Sequence, residues 1–406
     1  MSSACIHTLE PMEHGGVMAK VRVVGDMLID NGYETDLIYT ATNQMLSGTW
    51  FSRMKYLLSH YKPHTTQFEH YTGLAFPYWP LPTWGSNYYP WLWIRNFHLK
   101  YNIQIVVSGA SHCGLPVALT RQKYIIWVST MYEDELIGRA LAGDEWAQRT
   151  NSGLSGSLLK QQEHYVLTNA SLVLANGQYI TNRITATLPK ISNKVRTVIY
   201  PVDTDMFCSN SISSYKEKMG RYLLFTGRIN DPRKNLDMLF RSFARVLDAL
   251  HDVKLVLTGD KPEDYLKNLA YEYGILRNVE FVGRQTKEQL IDLYQGAEVF
   301  VLSSNQEGLG ISILEAMSCG VPVVSTMCGG PEYVVQDCST GYLVEINDDN
   351  QMSEKIIMIL NDDNLRNQLS NNSIEFAKTN FSKSVINTKL LQCFSDVYPE
   401  YFNQSQ

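Results

Sequence analysis

Glu307 and Glu315 are separated by seven residues and flank a glycine-rich turn that leads into a predicted helix. The backbone amides of Leu309, Gly310 and Ile311 would point outward at the N-terminus of that helix, where a phosphate is favoured. Glu315 lies more than one turn inside the helix, at the right place for a pair of ribose hydroxyls. Glu307 precedes the helix, at the right place for a sugar. The alternative is two glutamates that bind no ligand.

Two basic side chains follow the first predicted strand of the second half of the chain. Arg228 stands at the carboxyl end of that strand, where open parallel sheets bind their ligands. Lys234 opens the next predicted helix. A planar guanidinium and an ammonium group that converge at one place suit a diphosphate. A solvated basic turn is the alternative.

Two glycine pairs occupy turns between a strand and a helix. Gly15 and Gly16 follow the strand predicted over 5–8, and Gly329 and Gly330 open the sequence Gly-Gly-Pro-Glu. Paired glycines let the backbone approach a ligand closely, and the helix N-terminus behind them favours an anion. An ordinary strand-to-helix turn is the alternative for the first pair.

Strands and helices alternate around these residues. Short, nearly uncharged runs in the second half predict strands buried on both faces of a parallel sheet, over 222–225, 254–257, 279–282, 299–302, 321–324 and 342–344. Helical patterns between them cover 236–250, 263–273, 286–295 and 311–318. This alternation predicts a doubly wound α/β domain.

The first half repeats the pattern with more interruption. Its predicted strands cover 5–8, 35–39, 103–107, 124–128, 172–175 and 195–199, and a helix is predicted over 17–29. Residues 41–102 are predicted to be a large irregular insertion. Within it, the uncharged segment 72–94 contains four prolines, which exclude a membrane helix and favour an aromatic surface loop. The segment 201–218 is predicted to link two α/β domains.

Composition excludes several classes of protein. The 406 residues fit two domains of about 200 residues each. The net charge of −6 argues against nucleic-acid binding. Seven scattered cysteines without a Cys-x-x-Cys pair indicate neither a disulfide framework nor a zinc site, and no signal peptide is visible, so the cytoplasm is expected. No Gly-x-Gly-x-x-Gly follows a strand, which disfavours a nicotinamide dehydrogenase.

Taken together and in this order, the motifs resemble those of the retaining glycosyltransferases of the GT-B fold, in family 4 (glycosyl transferases group 1). The resemblance covers most of the chain, and its most specific part runs over 307–324. It implies an α/β architecture of two Rossmann-like doubly wound domains facing each other across a cleft. Residues 1–200 would form the acceptor-side domain and 201–380 the nucleotide-sugar-binding domain. Residues 381–406 would return to the first domain as a crossing helix.

The resemblance also implies roles for the donor side. Arg228 and Lys234 would stabilise the diphosphate as leaving group, while Glu307 would hold the sugar hydroxyls and Glu315 the ribose. The other donor-binding positions implied are Gly15, Gly16, Gly283, Arg284, Leu309, Gly310 and Ile311. Members of this family generally need no metal. A nucleotide-diphosphate sugar is therefore expected as co-substrate, with no metal and no further cofactor.

The acceptor side carries less information. Many relatives have a histidine where this chain has Ser129 and Thr130, and His112 is another candidate unless it is a structural hydrogen-bonding histidine. Trp79 and Trp84 would stack on sugar rings, rest at a membrane interface near a lipid-linked acceptor, or fill a local core. All seven tryptophans precede residue 147, so specificity is expected in this half of the chain.

The expected function is the transfer of a hexose from a UDP- or GDP-sugar, with retention, to a hydroxyl of a glycan, lipid-linked or small-molecule acceptor. The expected location is the cytoplasm, either free or peripheral at the inner face of a membrane. Two alternatives stay open. One is a sugar-nucleotide-binding protein without transfer activity, and the other is a sugar-nucleotide epimerase of the same fold.

Overall fold

Two separate sheets of short, buried strands organise the chain. The computed structural model describes residues 3–12, 16–41, 55, 63–77, 83–87, 100–141, 145–209 and 213–402. The chain divides into a first unit, Met1–Val198 with Asn387–Gln406, and a second unit, Ile199–Ile386.

The first unit is built on an eight-stranded sheet. Its strands are β1 (Ser3–Thr8), β2 (Glu34–Ala41), β3 (His64–Phe68), β4 (Tyr71–Pro77), β5 (Ile103–Ser108), β6 (Ile125–Val128), β7 (Leu172–Ala175) and β8 (Val195–Thr197). Their order is β3-β4-β2-β1-β5-β6-β7-β8, and only the β3–β4 pair is antiparallel. The helices described in this part are α1 (Gly16–Asp30), α2 (Thr83–Ser86), α3 (Leu115–Ala118), α4 (Tyr132–Leu141), α5 (Glu145–Ser152), α6 (Leu154–Asn169) and α7 (Gln178–Thr187).

The second unit is built on a six-stranded parallel sheet. Its strands are β9 (Arg221–Gly227), β10 (Val253–Gly259), β11 (Val279–Gly283), β12 (Val299–Leu302), β13 (Val323–Thr326) and β14 (Gly341–Val344), in the order β11-β10-β9-β12-β13-β14. Its helices are α8 (Ser214–Met219), α9 (Leu236–Ala249), α10 (Asp264–Glu272), α11 (Lys287–Gly296), α12 (Ile311–Ser318), α13 (Asp349–Asn361) and α14 (Asp363–Phe381). Parallel strands buried on both faces need apolar side chains throughout, which is why the uncharged runs identify them. The predicted doubly wound α/β fold is confirmed.

The C-terminal residues complete the first unit. Helix α15 (Lys383–Val397) contains the boundary between the units, and α16 (Pro399–Phe402) follows it. The buried Tyr398 hydroxyl lies 3.2 Å from the Gln104 amide nitrogen and 3.0 Å from the carbonyl oxygens of Gln104 and Lys123. These bonds anchor the end of the chain on the sheet of the first unit. Among the described residues, no helix is both long enough and apolar enough to cross a membrane.

The prediction of an irregular loop from residue 72 onward is wrong for 72–77. This segment belongs to β4, which pairs in parallel with β2 inside the sheet. The wholly buried Tyr71 anchors the start of the strand, and its hydroxyl donates to Asp26 Oδ1 at 2.6 Å. The four prolines of 72–94 suggested a loop, but all of them lie at or after the end of this strand. Apart from 83–87, residues 78–99 lie outside the described part of the chain.

The prediction of a linker over 201–218 is also wrong. The Val202 amide donates to the Phe381 carbonyl at 2.8 Å, and Val202 and Phe207 are buried in the core of the second unit. Helix α8 begins after Ser213, whose hydroxyl accepts from the Lys216 amide at 3.2 Å. The described residues 201–209 and 213–218 therefore pack onto the second unit. Residues 210–212, in the serine-rich stretch that suggested a linker, lie outside the described residues.

A buried lysine in the first unit leads to a testable prediction about stability. Lys20 on α1 donates from Nζ to the carbonyls of Ser108 at 2.8 Å and Trp127 at 3.2 Å. Burial lowers its pKa from 10.5 to about 7. Between these values the unfolded chain binds one proton more than the folded chain, so the free energy of unfolding rises with pH. The expected slope is up to about 1.4 kcal/mol per pH unit from about pH 7.5 upward.

The variant Lys20→Met should lack this contribution to the slope. Urea unfolding between about pH 7.5 and about pH 9 can be followed by tryptophan fluorescence, which reports on the first unit because all seven tryptophans precede residue 147. The exposed Lys100 provides the matched control, and Lys100→Met should keep the wild-type slope. Equal slopes in wild type and Lys20→Met would show that folding does not release a proton from Lys20.

Candidate functional site

Most of the donor-side residues predicted from the sequence gather at one edge of the sheet in the second unit, and Gly15 and Gly16 are the exceptions. The carboxyl ends of β9, β11, β12 and β13 meet there because all four strands run in parallel. Behind these ends stand, in chain order, Arg228, Gly283, Glu307 and Gly329. The topology therefore brings a basic turn, glycine-containing turns and the carboxylate of Glu307 to one edge of the sheet.

Lys234 and Glu307 form a direct ion pair at this edge. Lys234 Nζ bonds to Glu307 Oε1, and the two side chains are only 15% and 16% exposed. The Ser304 hydroxyl donates to the same carboxylate oxygen at 3.1 Å. The ammonium group is thus fixed beside the end of β12, although 73 residues separate the partners along the chain.

Arg228 differs from Lys234 in its exposure. Its guanidinium lies 3.0 Å from Asp231 Oδ2, and its side chain is 67% exposed. Burial alone would raise the pKa of Asp231, but the hydrogen bond and charge of Arg233 lower it below its ordinary value. Asp231 therefore stays ionised and tethers Arg228, while most of the guanidinium remains available to a ligand.

Hydrogen bonds fix the basic turn to the loop that follows β12. The 3-10 turn Pro232–Lys234 ends at Asn235, which adopts a left-handed conformation with φ of 49°. The Asn235 side chain caps α9 and donates to Asn305 Oδ1 at 2.9 Å. The Asn305 amide donates to the Arg233 carbonyl at 2.7 Å, and the Ser303 hydroxyl donates to the Lys234 carbonyl at 2.8 Å. This network sets the position of Lys234.

The glycine-rich turn is held against the turn after β13. The Glu307 amide donates to the Cys328 carbonyl at 2.9 Å, and the Gly330 amide donates to the Glu307 carbonyl at 2.8 Å. A Cβ at Gly330 would lie 2.5 Å from the Leu309 Cα, so only glycine permits this approach. Gly310, with φ of +80°, then starts α12 without a side-chain cap. The amides at that N-terminus are free of a capping side chain, as an anion site requires.

Glu315 lies on α12 and meets a second helix. Its Oε2 accepts a hydrogen bond of 2.8 Å from the hydroxyl of Tyr294 on α11. Burial raises the pKa of Glu315 to about 7, against opposing contributions from the Tyr294 hydrogen bond and from the charge of Lys287. The Tyr294 hydroxyl also lies 3.0 Å from the Thr226 hydroxyl, near the end of β9. Sequence reasoning did not single out Tyr294, because a tyrosine on an amphipathic helix is typical of a core position.

Two further donor-side candidates lie at the carboxyl end of β11, an outer strand of the sheet. Gly283 ends β11 with φ of +71°, and its carbonyl accepts from the Thr258 hydroxyl at 2.7 Å. Arg284 is exposed and lies 2.8 Å from Asp260 Oδ1. They share the sheet edge with Glu307, three strands away from β12.

The remaining candidates belong to the first unit, and their contacts there do not point to a ligand. Gly16 begins α1 and is exposed, while Gly15 and Trp79 lie outside the described residues. His112 has its Nε2 3.0 Å from the Leu159 carbonyl, and burial lowers its pKa to about 4. These contacts are those of a structural histidine.

Backbone bonds hold the other acceptor-side candidates. The amides of Ser129 and Thr130 both donate to the Gly109 carbonyl, at 3.0 and 3.3 Å. The Trp84 carbonyl accepts from Gln162 Nε2 at 2.6 Å, which joins α2 to α6. These contacts fix the backbone of all three candidates. Among the described residues, the indole of Trp84 and the hydroxyl of Ser129 make no side-chain hydrogen bond.

One buried carboxylate in the first unit was not predicted. Both oxygens of Glu163 accept from the Tyr132 amide at 3.1 Å, and the Ser111 hydroxyl lies 3.4 Å from Oε1. Burial raises the pKa of Glu163 to about 7. A cavity of about 260 Å³ lies nearby and is lined by Tyr132, Glu133, Leu136, Gly153, Gly156, Ser157 and Lys160. No motif in the sequence marks Glu163.

Comparison with known proteins places this geometry in context. Residues 210–376 match the family model "Glycosyl transferases group 1". N-acetyl-alpha-D-glucosaminyl L-malate synthase of Bacillus anthracis is 27% identical over 241 residues, which is 57% of this chain and 61% of that protein. This protein and two further curated relatives are matched over only 43 to 61% of their own length.

Solved structures match over nearly the whole chain. Sucrose-phosphate synthase of Thermosynechococcus elongatus superposes with a TM-score of 0.75 at 20% identity, covering 98% of this chain and all of that one. Anabaena HepE in complex with UDP-glucose superposes with a TM-score of 0.70 at 17% identity, covering 97% of this chain and 99% of that one. At such identities the likeness establishes a shared fold, which is the GT-B fold.

Proposed function

Since the chain belongs to the glycosyl transferases group 1, family 4, we propose that it transfers a hexose from a UDP- or GDP-sugar to an acceptor hydroxyl, with retention at the anomeric carbon. The observation that carries this proposal is the ion pair between Lys234 and Glu307 beside the uncapped N-terminus of α12. The pair offers a cation for a phosphate and a carboxylate for sugar hydroxyls at one place.

The chemistry follows from the charges at this edge. As the bond between the anomeric carbon and the phosphate oxygen breaks, negative charge develops on the departing diphosphate. Lys234 has three N–H donors, and one of them bonds to Glu307. In this proposal the other two donate to the diphosphate. Arg228, largely exposed, adds a second cation, and the amides of Leu309, Gly310 and Ile311 add the positive end of a helix dipole. Two cations in this role fit a reaction that needs no metal.

Glu307 is assigned to sugar binding. Its Oε1 is occupied by Lys234 and Ser304, which fixes the carboxylate and leaves Oε2 for the hydroxyls of the donor sugar. Glu315 is assigned to the ribose hydroxyls, and Gly283 and Arg284 to the base. Gly16, which begins α1 in the first unit, stays a predicted donor-binding position, as does Gly15, which lies outside the described residues. The complex of HepE with UDP-glucose supports a nucleotide sugar as the donor. It does not identify which sugar this chain transfers.

The acceptor is assigned to the first unit. Ser129 and Thr130 follow β6 at its carboxyl end, and Trp84 offers an aromatic surface from α2. His112 is assigned a supporting role because its half-buried ring contacts the Tyr132 ring and lies within hydrogen-bond distance of the Leu159 carbonyl. We propose a glycan or lipid-linked acceptor, with the protein in the cytoplasm or peripheral at the inner face of a membrane.

The proposal is tested with a thermal-shift screen of UDP- and GDP-hexoses, followed by a turnover assay of nucleotide release. A donor that binds only the folded protein raises its melting temperature. Arg228→Ala should then lower turnover about 10²-fold at unchanged melting temperature. The exposed guanidinium stabilises the charge on the leaving diphosphate and contributes little to the stability of the fold. The control is Arg245→Ala on α9, which removes a 51%-exposed arginine that is also paired with an aspartate.

Three outcomes would each contradict a part of this proposal. Wild-type turnover in Arg228→Ala would remove the guanidinium from the site. Donor binding without turnover on any acceptor would favour a sugar-nucleotide-binding protein. Release of an altered sugar nucleotide without any acceptor would favour an epimerase.

A further inference from the structure

Tyr294 occupies a position that phenylalanine would fill equally well by packing alone. It is fully buried on α11, and the ring centres of Phe207 and Phe300 each lie 6.0 Å from its own. A buried hydroxyl destabilises a core unless it finds hydrogen-bond partners. The partners of the Tyr294 hydroxyl therefore indicate what the oxygen atom is for.

Both partners belong to the donor edge of the second unit. Glu315 Oε2 lies 2.8 Å from the hydroxyl oxygen and Thr226 Oγ1 lies 3.0 Å from it. The Tyr294 hydroxyl has a single proton, which it donates to Glu315 Oε2, so it can only accept a hydrogen bond from Thr226. Burial raises the pKa of Tyr294 well above its ordinary value, so the phenol keeps the proton that it donates.

This chain of bonds joins two regions to which the proposed function gives different parts of the nucleotide. Thr226 lies two residues before Arg228, on the strand that leads to the diphosphate region. Glu315 lies on α12, whose N-terminus faces the same edge. Among the described residues, Glu315 Oε2 is bonded to Tyr294 and no hydrogen bond reaches Oε1. Oε1 is thus left for a ligand while Oε2 is held.

We propose that Tyr294 is the positioning residue of the ribose site: by bonding Glu315 Oε2 and accepting from Thr226, it orients the carboxylate so that Oε1 meets the ribose hydroxyls. This inference rests on the proposed function, because it takes the ribose as the ligand of Glu315. Without the Tyr294 hydroxyl, the carboxylate can rotate about its last side-chain bonds and loses the fixed direction that hydrogen bonding to adjacent hydroxyls needs.

The test compares ribose with deoxyribose. UDP and GDP are titrated calorimetrically into the wild-type protein, and the tighter binder is then compared with its 2′-deoxy form. Loss of a hydrogen bond to the carboxylate should weaken the deoxy form about 10-fold in the wild type. Glu315→Ala should abolish this preference. Tyr294→Phe should weaken the ribonucleotide about 5-fold and change the affinity for the deoxy form less than about 2-fold.

A matched control separates positioning from packing. Tyr222 is also fully buried, and its hydroxyl donates to the Leu293 carbonyl at 2.6 Å, beside Tyr294. Tyr222→Phe removes a buried hydroxyl from the same core and should leave the ribose preference unchanged. Thr226→Val removes the other bond to Tyr294 and should reduce the preference in the same sense as Tyr294→Phe, which provides a second variant if one folds poorly.

The outcomes distinguish the inference from its premise. One outcome is that Glu315→Ala abolishes the preference, while Tyr294→Phe weakens binding of the ribonucleotide and of its 2′-deoxy form equally or leaves both unchanged. Glu315 then binds ribose, and the positioning role of Tyr294 is overturned. If Glu315→Ala keeps the preference, or the wild type has none, the ribose assignment within the proposed function fails and the inference fails with it. If neither UDP nor GDP binds, the proposed function itself is overturned.

Discussion

Lys234→Met should lower turnover by about 10²- to 10³-fold, the loss typical when one preorganised group that stabilises a developing charge is removed. Methionine keeps the length and the apolar stem of lysine and removes its charge. The ammonium group is held by Glu307 and by a turn that is hydrogen-bonded to the loop after β12, so its position is fixed from two sides. The measurement is the rate of nucleotide release at saturating donor and acceptor.

Stability must be measured alongside turnover, because Lys234→Met also leaves Glu307 without its charged partner. Breaking a buried ion pair from one side costs about 3–5 kcal/mol, and the 15% and 16% exposure of these side chains reduces that cost. The double variant Lys234→Met with Glu307→Gln removes both charges and should recover most of the lost stability.

The double variant decides between a catalytic pair and a structural one. If Lys234 stabilises the leaving group, the double variant is stable and still turns over about 10²-fold more slowly than the wild type. If the pair serves only the fold, restoring stability restores turnover. Lys234→Arg is a further comparison: it keeps the charge on a planar fork that cannot occupy the same position, so turnover should recover only in part.

The sheet of the second unit could be predicted from the sequence because its strands are buried on both faces. A run such as 222–225 contains no charge, and in the structure its residues are wholly buried. The run at 321–324 shows the limit of this signal. Its strand is Val323–Thr326, because the Val321 amide still bonds to the Ala316 carbonyl at the end of α12 and Pro322 has no amide hydrogen.

The errors lie where long-range contacts outweigh local composition. Strand β4 contains a glycine and ends at Pro77, so it looks like a loop, yet it pairs with β2 over six residues, Asp36 to Ala41. Val202 and Phe207 look like linker residues until their burial against the second unit is known. A pattern within a dozen residues carries no information about a partner that lies far outside that window, as β2 does for β4 and Phe381 for Val202.

The same limit applies to the candidate site. Parallel topology predicts that residues after β9 and β12 approach one another, but it does not say which side chains pair. That Lys234 bonds to Glu307 while Arg228 remains with Asp231 depends on the asparagine and serine bonds that fix the turn. Tyr294 was missed for the same reason: its chemistry lies in one hydroxyl whose partners stand on other elements.

Gly330→Ala should lower the specificity constant kcat/KM by about 10²-fold without unfolding the protein. The backbone φ at Gly330 is −74°, which alanine adopts readily, so the effect is one of space and not of backbone strain. Its new Cβ would lie 2.5 Å from Leu309 Cα and 2.6 Å from the Leu309 amide nitrogen, and these backbone atoms cannot rotate away as a side chain would.

Relief of this clash must move the glycine-rich turn. Ordinary contact needs about 3.5 Å, so the two segments must separate by about 1 Å. Such a shift strains the bonds between Gly330 and the Glu307 carbonyl and between the Glu307 amide and Cys328. It carries Glu307 away from Lys234 and moves the amides at the start of α12. A displacement of about 1 Å at a reacting group is enough for a 10²-fold loss.

The matched control is Gly274→Ala, which follows α10 at a distance from this edge along the chain. Its φ is +70° and a Cβ there meets no atom within 4 Å, so alanine costs about 1–2 kcal/mol of backbone strain and nothing else. Gly274→Ala should lower the melting temperature and leave kcat/KM unchanged. Gly330→Ala should have a melting temperature comparable to that of Gly274→Ala but a lower kcat/KM. If both variants kept wild-type kcat/KM, the contact between the two turns would not position Glu307.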